Sequence, residues 1–153
     1  MMSKLISALR VVAIALWAGG LWVVGYLVAP LLFHALDDRV LAGTLAGKMF
    51  SGIAWVGIAC GAFLLLYECF SFKAAVLKRL VFWLVALMLA VTVIQQFWLQ
   101  PFVAALRSAG APVDALNKLP GHSFVFWHGM ASVLYVFESL LALVLVLKSR
   151  RAY

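Results

Sequence analysis

The chain has 153 residues, of which 67% are hydrophobic and 11% are charged, and its mean hydropathy is +1.14. A soluble domain has about 45–50% apolar and about 25% charged residues, and one of this size cannot bury so much apolar surface. The composition excludes a soluble enzyme, a disordered chain and a secreted disulfide scaffold. It predicts an integral membrane protein with the lipid bilayer as its main partner. The net charge of +7 comes from short basic tracts beside apolar runs, which is typical of topology signals, so nucleic acid is not an expected partner.

Four apolar runs, at residues 11–33, 53–70, 80–99 and 124–147, are long enough to cross a bilayer as helices. They predict an all-α fold, with one four-span transmembrane domain over residues 1–153 packed as a four-helix bundle. Eight basic residues lie at the termini and in the second loop, and four lie on the other side. The positive-inside rule therefore places both termini in the cytoplasm and the chain in an inner membrane of the bacterial type.

The side of the bundle opposite the termini is predicted to carry more than simple loops. Asp37 and Asp38 are good N-cap residues, so the second helix is expected to start near Asp38 and to form a tight hairpin with the first. Pro101 follows the third run, and residues 102–109 are expected to continue as helix beyond a kink. Helices 2 and 3 would then extend beyond the membrane on the outer side.

Small residues recur at helical spacing in the first two spans. Gly19 and Gly25 in the first span, and Gly57 and Gly61 in the second, belong to pairs of small residues four apart. Such pairs let helix backbones approach closely in lipid, so we predict that these four glycines lie in packing seams. Most of the six tryptophans are expected in interface belts or facing lipid.

The third and fourth spans carry polar side chains, which are costly in a bilayer interior unless they face protein or water. At about 100° per residue, each span places these side chains within a narrow arc. We predict that the two arcs face each other and form a polar pocket between helices 3 and 4. The residues assigned to this pocket are Gln95, Gln96, His128, Ser132, Tyr135 and Glu138.

Two acidic residues lie inside the apolar runs. Glu138 is near the middle of the bilayer, so its carboxyl group is expected to be protonated or paired. Two interpretations of this residue stay open, a functional acid and a member of a packing network. Glu68 lies nearer the cytoplasmic edge and is expected to reach Lys73 in a structural role.

The three histidines are candidates for a metal site. His34 and His122 lie at the predicted outer surface, and His128 lies in the outer third of the fourth span. Together with nearby methionines they would offer soft ligands to copper. The alternatives for His128 are an axial haem ligand and a neutral imidazole in a hydrogen-bonded network.

Several segments resemble the transmembrane protein 205-like family, whose bacterial members form a domain of unknown function. They are residues 16–22 (LWAGGLW), 25–33 (GYLVAPxLF), 41–50 (LAGxxAGKMF) and 127–132 (WHGMAS). The resemblance covers most of the chain. It implies a four-span membrane architecture and does not by itself imply an activity.

The Trp-x-Gly-Gly-Leu element at residues 17–21 is also similar to the copper-resistance CopD membrane domain and, in layout, to HemJ-type protoporphyrinogen oxidases. Those haem-linked enzymes use a histidine early in the first span and a lysine in the third. Residues 5–22 contain no histidine and residues 80–100 contain no lysine, so this chain lacks the residues that a haem-linked activity of that type would need.

Three functions stay open on the sequence. The favoured one is transport or handling of a small solute, or of a metal ion such as copper, through the polar pocket. The second is a haem- or quinone-linked oxidoreductase with His128 as axial ligand. The third is a non-catalytic membrane subunit or assembly factor, acting with other membrane proteins or as a homo-oligomer. Since nucleotide-binding, nucleophile-elbow and Cys-x-x-Cys motifs are absent, we do not expect an enzyme.

Overall fold

The computed structural model describes residues 2–101 and 124–149, with side chains over residues 5–101 and 126–149. Within these ranges every regular element is a helix. Two π-helical segments, Val24–Val28 and Gln95–Leu99, and a 3-10 helix, Lys73–Lys78, interrupt or connect the α-helices. The helical extension predicted at residues 102–109 lies outside the described residues. The α-helices are α1 (Met2–Val23), α2 (Ala29–Ala35), α3 (Arg39–Phe72), α4 (Leu80–Ile94) and α5 (Phe124–Ser149).

Four helical stretches in the described residues are long and apolar enough to cross a membrane. They confirm the predicted all-helical fold with four helices that could span a membrane, and many large apolar side chains are exposed on them, as expected of surfaces that a lipid bilayer covers. The first two spans are longer than their apolar runs, because their more polar ends continue as helix. The four stretches are Leu5–Ala35, Arg39–Lys78, Leu80–Leu99 and Phe126–Ser149.

The spans pack as a ring in their order along the chain. Helix α1 packs against α3 and α5, and α4 packs against the same two helices. Residues 36–38 connect α2 to α3 at one end of the bundle, which we call the far end. The opposite end carries Lys73–Lys78 and is called the basic end. This arrangement encloses a core to which all four spans contribute.

Local chemistry sets both ends of α3. The Asp38 side chain accepts hydrogen bonds from the backbone N–H groups of Val40 (2.8 Å) and Leu41 (3.1 Å), so the helix starts where the sequence predicted. At the other end, Lys73 has a positive φ of 44°, which is outside the helical region and ends the α-helix. With 34 residues, α3 is about 50 Å long, which exceeds the roughly 30 Å of a hydrocarbon core.

Trp17 lies at the centre of the core. Its side chain is 1% exposed and rests against Gly57 and Gly61 of α3. A Cβ atom at Gly57 would lie 2.5 Å from Trp17 Nε1, and one at Gly61 would lie 2.9 Å from Trp17 Cη2. Because four residues separate the two glycines, they share a helix face and form one groove for the indole. A Cβ atom at Gly19 would meet no heavy atom of a neighbour within 4 Å among the described residues, so no packing seam is seen there in this part of the chain.

A buried ion cluster joins three spans at the basic end. Arg79 Nε donates a hydrogen bond to Glu68 Oε2 at 2.8 Å, and Arg10 Nε lies 3.9 Å from Glu68 Oε1. Glu68 is 1% exposed, and its charged partners are these two arginines, so the predicted partner Lys73 was wrong. The reason is local: α3 ends at Phe72, and the 3-10 turn that follows returns the chain so that residue 79 faces Glu68.

Alanine at Gly57 is expected to destabilise the bundle, since its methyl group would overlap the rigid indole of Trp17. We expect a loss of about 1–3 kcal/mol, as for other overpacked cores. Gly19→Ala is the matched control: its methyl group meets no neighbouring helix, and alanine favours helix over glycine, so a small gain is expected. Thermal unfolding of both variants in one detergent measures the difference. Equal unfolding midpoints would show that Trp17 does not rest in this groove.

Candidate functional site

A cavity of about 410 Å³ lies between the middle of the bundle and the far end. It extends from Thr92 and Glu138 to Pro30 and Gln100. The sequence placed the polar pocket between helices 3 and 4 alone, whereas the structure lines this cavity with residues from all four spans. The six side chains assigned to the pocket all lie in its lining: Gln95, Gln96, His128, Ser132, Tyr135 and Glu138.

Two π-helical segments border the cavity, and each ends two residues before a proline. In both, the first N–H after the segment donates to the carbonyl five residues earlier. Pro30 and Pro101 have no N–H, and in a regular α-helix their rings would clash with the carbonyl four residues earlier, which lies inside each segment. The wider π turn relieves this clash and moves the following residues around the helix axis, and such turns are frequent at functional sites. The lining residues from the two segments are Gly25, Tyr26, Gln95, Gln96 and Leu99.

Small side chains on α3 and in the first π segment leave space for the cavity and its aromatic lining. A Cβ atom at Gly25 would overlap the ring of Tyr135, so this glycine provides the space that the ring occupies. On α3 the lining consists largely of residues without a bulky side chain, which keeps that helix from filling the centre of the bundle. These residues are Gly43, Ala46, Gly47 and Ala54.

Glu138 forms the deep end of the cavity, and its side chain is 1% exposed. Thr92 Oγ1 lies 2.5 Å from Glu138 Oε1, and Gln95 Nε2 donates to Glu138 Oε2 at 2.9 Å. The Trp17 indole lies beside the same carboxyl group, although its Nε1 has no well-formed hydrogen bond within the described residues. Both carboxyl oxygens are therefore satisfied by neutral groups of the third span.

The hydrogen bonds of Thr92 favour a protonated Glu138. The Thr92 hydroxyl has one proton, yet its Oγ1 lies within hydrogen-bond distance of both the Met88 carbonyl oxygen (2.9 Å) and Glu138 Oε1 (2.5 Å). A proton on the carboxyl group makes both contacts hydrogen bonds, with Thr92 donating to Met88 and accepting from Glu138. An ionised carboxylate without a cationic partner would also be costly at this depth.

Tyr135 links three spans around the middle of the cavity. Its hydroxyl donates to the backbone carbonyl of Leu21 at 2.5 Å, just before the first π segment. Its ring packs edge-on against Phe50 of α3, with centroids 5.0 Å apart, and against Tyr26, with centroids 6.5 Å apart. This cluster gives the cavity an aromatic wall.

The remaining polar side chains of the lining bond to their own surroundings. Gln96 Nε2 donates to Ser51 Oγ at 2.8 Å, while Gln96 Oε1 is buried without a hydrogen-bond partner in the part of the chain that the structure describes. Ser132 Oγ donates to the His128 backbone carbonyl at 2.9 Å. His128 itself lies in the second turn of α5 and is exposed.

The histidines proposed as metal ligands are not brought together in the described residues. His34 is exposed near the end of α2 and does not line the cavity, whereas His128 does. His122 lies outside the described residues. Within residues 2–101 and 124–149, no group of three His, Cys, Asp or Glu side chains has the geometry to hold a metal ion.

Residues 12–112, about two thirds of the chain, match the family model "Domain of unknown function (DUF4149)". The chain belongs to this family. The match agrees with the expected domain of unknown function, while the narrower resemblance to the transmembrane protein 205-like family stays a prediction. The DUF4149 segment covers most of the first span and all of the second and third, and it ends before α5, so Glu138 lies outside it. No curated protein and no solved structure matches the chain.

The polar pattern of the DUF4149 chain did not reveal every residue of the cavity. Most of the six tryptophans were expected in interface belts or facing lipid, and nothing in the sequence set Trp17 apart from the others, yet Trp17 is fully buried beside Glu138. The signal that could have located it is the Gly57–Gly61 pair, since two glycines on one face accommodate a large side chain. Tyr26 was also missed, because it belongs to the first span, and Gln100 was missed because it follows the end of the third apolar run.

Glu138→Gln is expected to fold with almost unchanged stability, because an amide matches a protonated carboxyl group in shape and in its hydrogen bonds. Glu138→Leu should lose about 1–3 kcal/mol, since Gln95 would keep a buried donor without its acceptor. Ser139→Ala is the control on the same helix, because the Ser139 hydroxyl is buried without a partner in the described residues. Thermal unfolding in detergent ranks the three variants. A Gln variant as unstable as the Leu variant would show that Glu138 is not a neutral hydrogen-bonding group.

Proposed function

We propose that this membrane protein binds a small amphipathic molecule in its central cavity and acts in the transport or handling of that molecule. The supporting observation is the cavity of about 410 Å³, which ends at a buried carboxyl group in the middle of the spans. This volume lies within the range of about 300–1,000 Å³ that is common for small-molecule sites. An apolar lining with a few convergent polar groups suits a ligand that has both characters.

We propose further that the far end of the bundle faces away from the cytoplasm. Lys73, Lys78 and Arg79 cluster at the opposite end, and Lys148 lies in the last turn of α5. Positive charge is retained on the cytoplasmic side of inner-membrane proteins. The cavity extends from the middle of the spans toward the far end, so its ligand would exchange with the outer side or the outer leaflet.

Handling of an organic solute is favoured over handling of copper or haem. Among the described residues that line the cavity there is one histidine, His128, and soft or borderline metals prefer several nitrogen or sulfur ligands. Because a single chain encloses the cavity, a ligand-binding role is also favoured over that of a non-catalytic subunit or assembly factor.

Cysteine accessibility tests whether the cavity is a binding space that solutes enter. In a background with Cys60→Ala and Cys69→Ala, Ser132→Cys should react with a membrane-impermeant methanethiosulfonate reagent. The matched control is Val133→Cys, one residue along α5, because Val133 is 69% exposed on the outer surface of the bundle and does not line the cavity. A thiol in lipid does not ionise, so we expect Ser132→Cys to react at least about tenfold faster.

The same experiment also tests the orientation. In intact cells the reagent acts only from the outer side, and the Ser132→Cys variant should be labelled there. Equal, slow labelling of the two variants in detergent would contradict a solute-accessible cavity, whereas labelling in detergent but not in intact cells would contradict the proposed orientation alone.

A further inference from the structure

The chemistry of the cavity points to one class of ligand, and this inference rests on the proposed binding function. We propose that the cavity binds a monovalent lipophilic organic cation, and that Glu138 releases its proton to become the counter-ion. Quaternary ammonium and tetra-aryl phosphonium ions belong to this class. The juxtaposition that supports it is one buried acid beside an aromatic wall, with no fixed positive charge in the described lining.

The charges around the cavity are asymmetric. Glu138 is the one acidic residue among the described lining residues, and none of those residues is a lysine or an arginine. The nearest groups to the carboxyl are Thr92 and Gln95 from the third span and the Trp17 indole from α1, all of which are neutral. On α3 the lining consists of apolar residues, and the other titratable side chains of the lining are His128, Tyr26 and Tyr135. The arginines of the core are held at the basic end: Arg10 and Arg79 both lie against Glu68.

Aromatic side chains surround the space next to this acid. A cation held over an aromatic face is attracted by the quadrupole of the ring, and the attraction grows when water is excluded. Apolar groups on the same ligand would contact the leucine, isoleucine and glycine surfaces that form the rest of the lining. An anion would find no positive partner in the described lining, and a neutral ligand would meet a carboxyl group whose two oxygens are already bonded to Thr92 and Gln95. The aromatic residues of the lining are Trp17, Tyr26, Phe33, Phe50 and Tyr135.

Binding would proceed as an exchange of one positive charge for another. In the protein without ligand, the Glu138 carboxyl group is neutral and bonded to Thr92 and Gln95. When the cation arrives, the O–H bond of Glu138 breaks, the proton leaves to water through the cavity, and the carboxylate pairs with the ligand. Thr92 then turns its hydroxyl proton from the Met88 carbonyl to the carboxylate. The net charge of the site is zero before and after, which avoids a bare charge in the bilayer.

Isothermal titration calorimetry on the full chain in detergent tests the proposal with tetraphenylphosphonium as the cation and triphenylphosphine oxide as a neutral analogue. Titrations in buffers with different ionisation enthalpies count the protons released. We expect about one proton per bound cation, with an affinity that rises about tenfold per pH unit while Glu138 is protonated in the free protein. Affinity for the neutral analogue should not depend on pH.

Glu138→Gln should weaken cation binding by at least about 30-fold and abolish proton release, with little change in binding of the neutral analogue. Asp37→Asn is the matched control, because it removes an exposed carboxylate at the far end. It should leave the affinity for the cation, the number of protons released and the affinity for the neutral analogue unchanged. The cation proposal would be overturned if tetraphenylphosphonium bound without proton release. It would also be overturned if the neutral analogue bound at least as tightly as tetraphenylphosphonium at every pH. Failure of both probes to bind would overturn it as well. The proposed function is judged separately, because Ser132→Cys labelling does not depend on ligand charge.

Discussion

A carboxyl group inside a bilayer must find its hydrogen-bond partners within the protein, because lipid offers none. Glu138 finds them on the third span, where Thr92 and Gln95 bond its two oxygens, and the Trp17 indole of α1 lies beside it. This requirement fixes the rotation of α4 and α5 about their axes, and with it the residues that face inward. The other polar side chains on that face of α5 then line the same cavity: His128, Ser132 and Tyr135.

The cavity itself depends on features of the backbone. Pro30 in the first span and Pro101 after the third each follow a π-helical segment. Residues of these two π turns line the cavity at the centre of the bundle. Opposite them, α3 presents small residues, so its backbone lines the cavity without filling it. At the other half of the bundle, the indole of Trp17 fills the groove at Gly57 and Gly61. One half of the molecule is therefore a packed core, and the other half encloses a space beside the acid.

The fold class and the number of spans could be predicted from the sequence, because hydropathy and helical periodicity encode them directly. The spacing also showed that Gln95 and Gln96 lie on one face of the third span, and that Glu138 lies beside the polar residues of the fourth span. The partner that each side chain meets on another helix could not be predicted, since periodicity gives the direction of a side chain but not its neighbour. Glu68 pairs with Arg79 and not with Lys73 because of the geometry of a 3-10 turn. The first two spans contribute to the cavity through a π turn and small residues, which carry no polar signal in the sequence.

In the proposed binding reaction, Glu138 is a neutral acid that becomes charged only when a cation binds. Infrared difference spectroscopy on the protein in lipid at neutral pH, with the Glu138→Gln spectrum subtracted, isolates this carboxyl group from the other acids of the chain. We expect the C=O band of a hydrogen-bonded carboxylic acid, and its replacement by carboxylate bands when tetraphenylphosphonium is added. Carboxylate bands from Glu138 in the protein without added cation would contradict the proposed reaction.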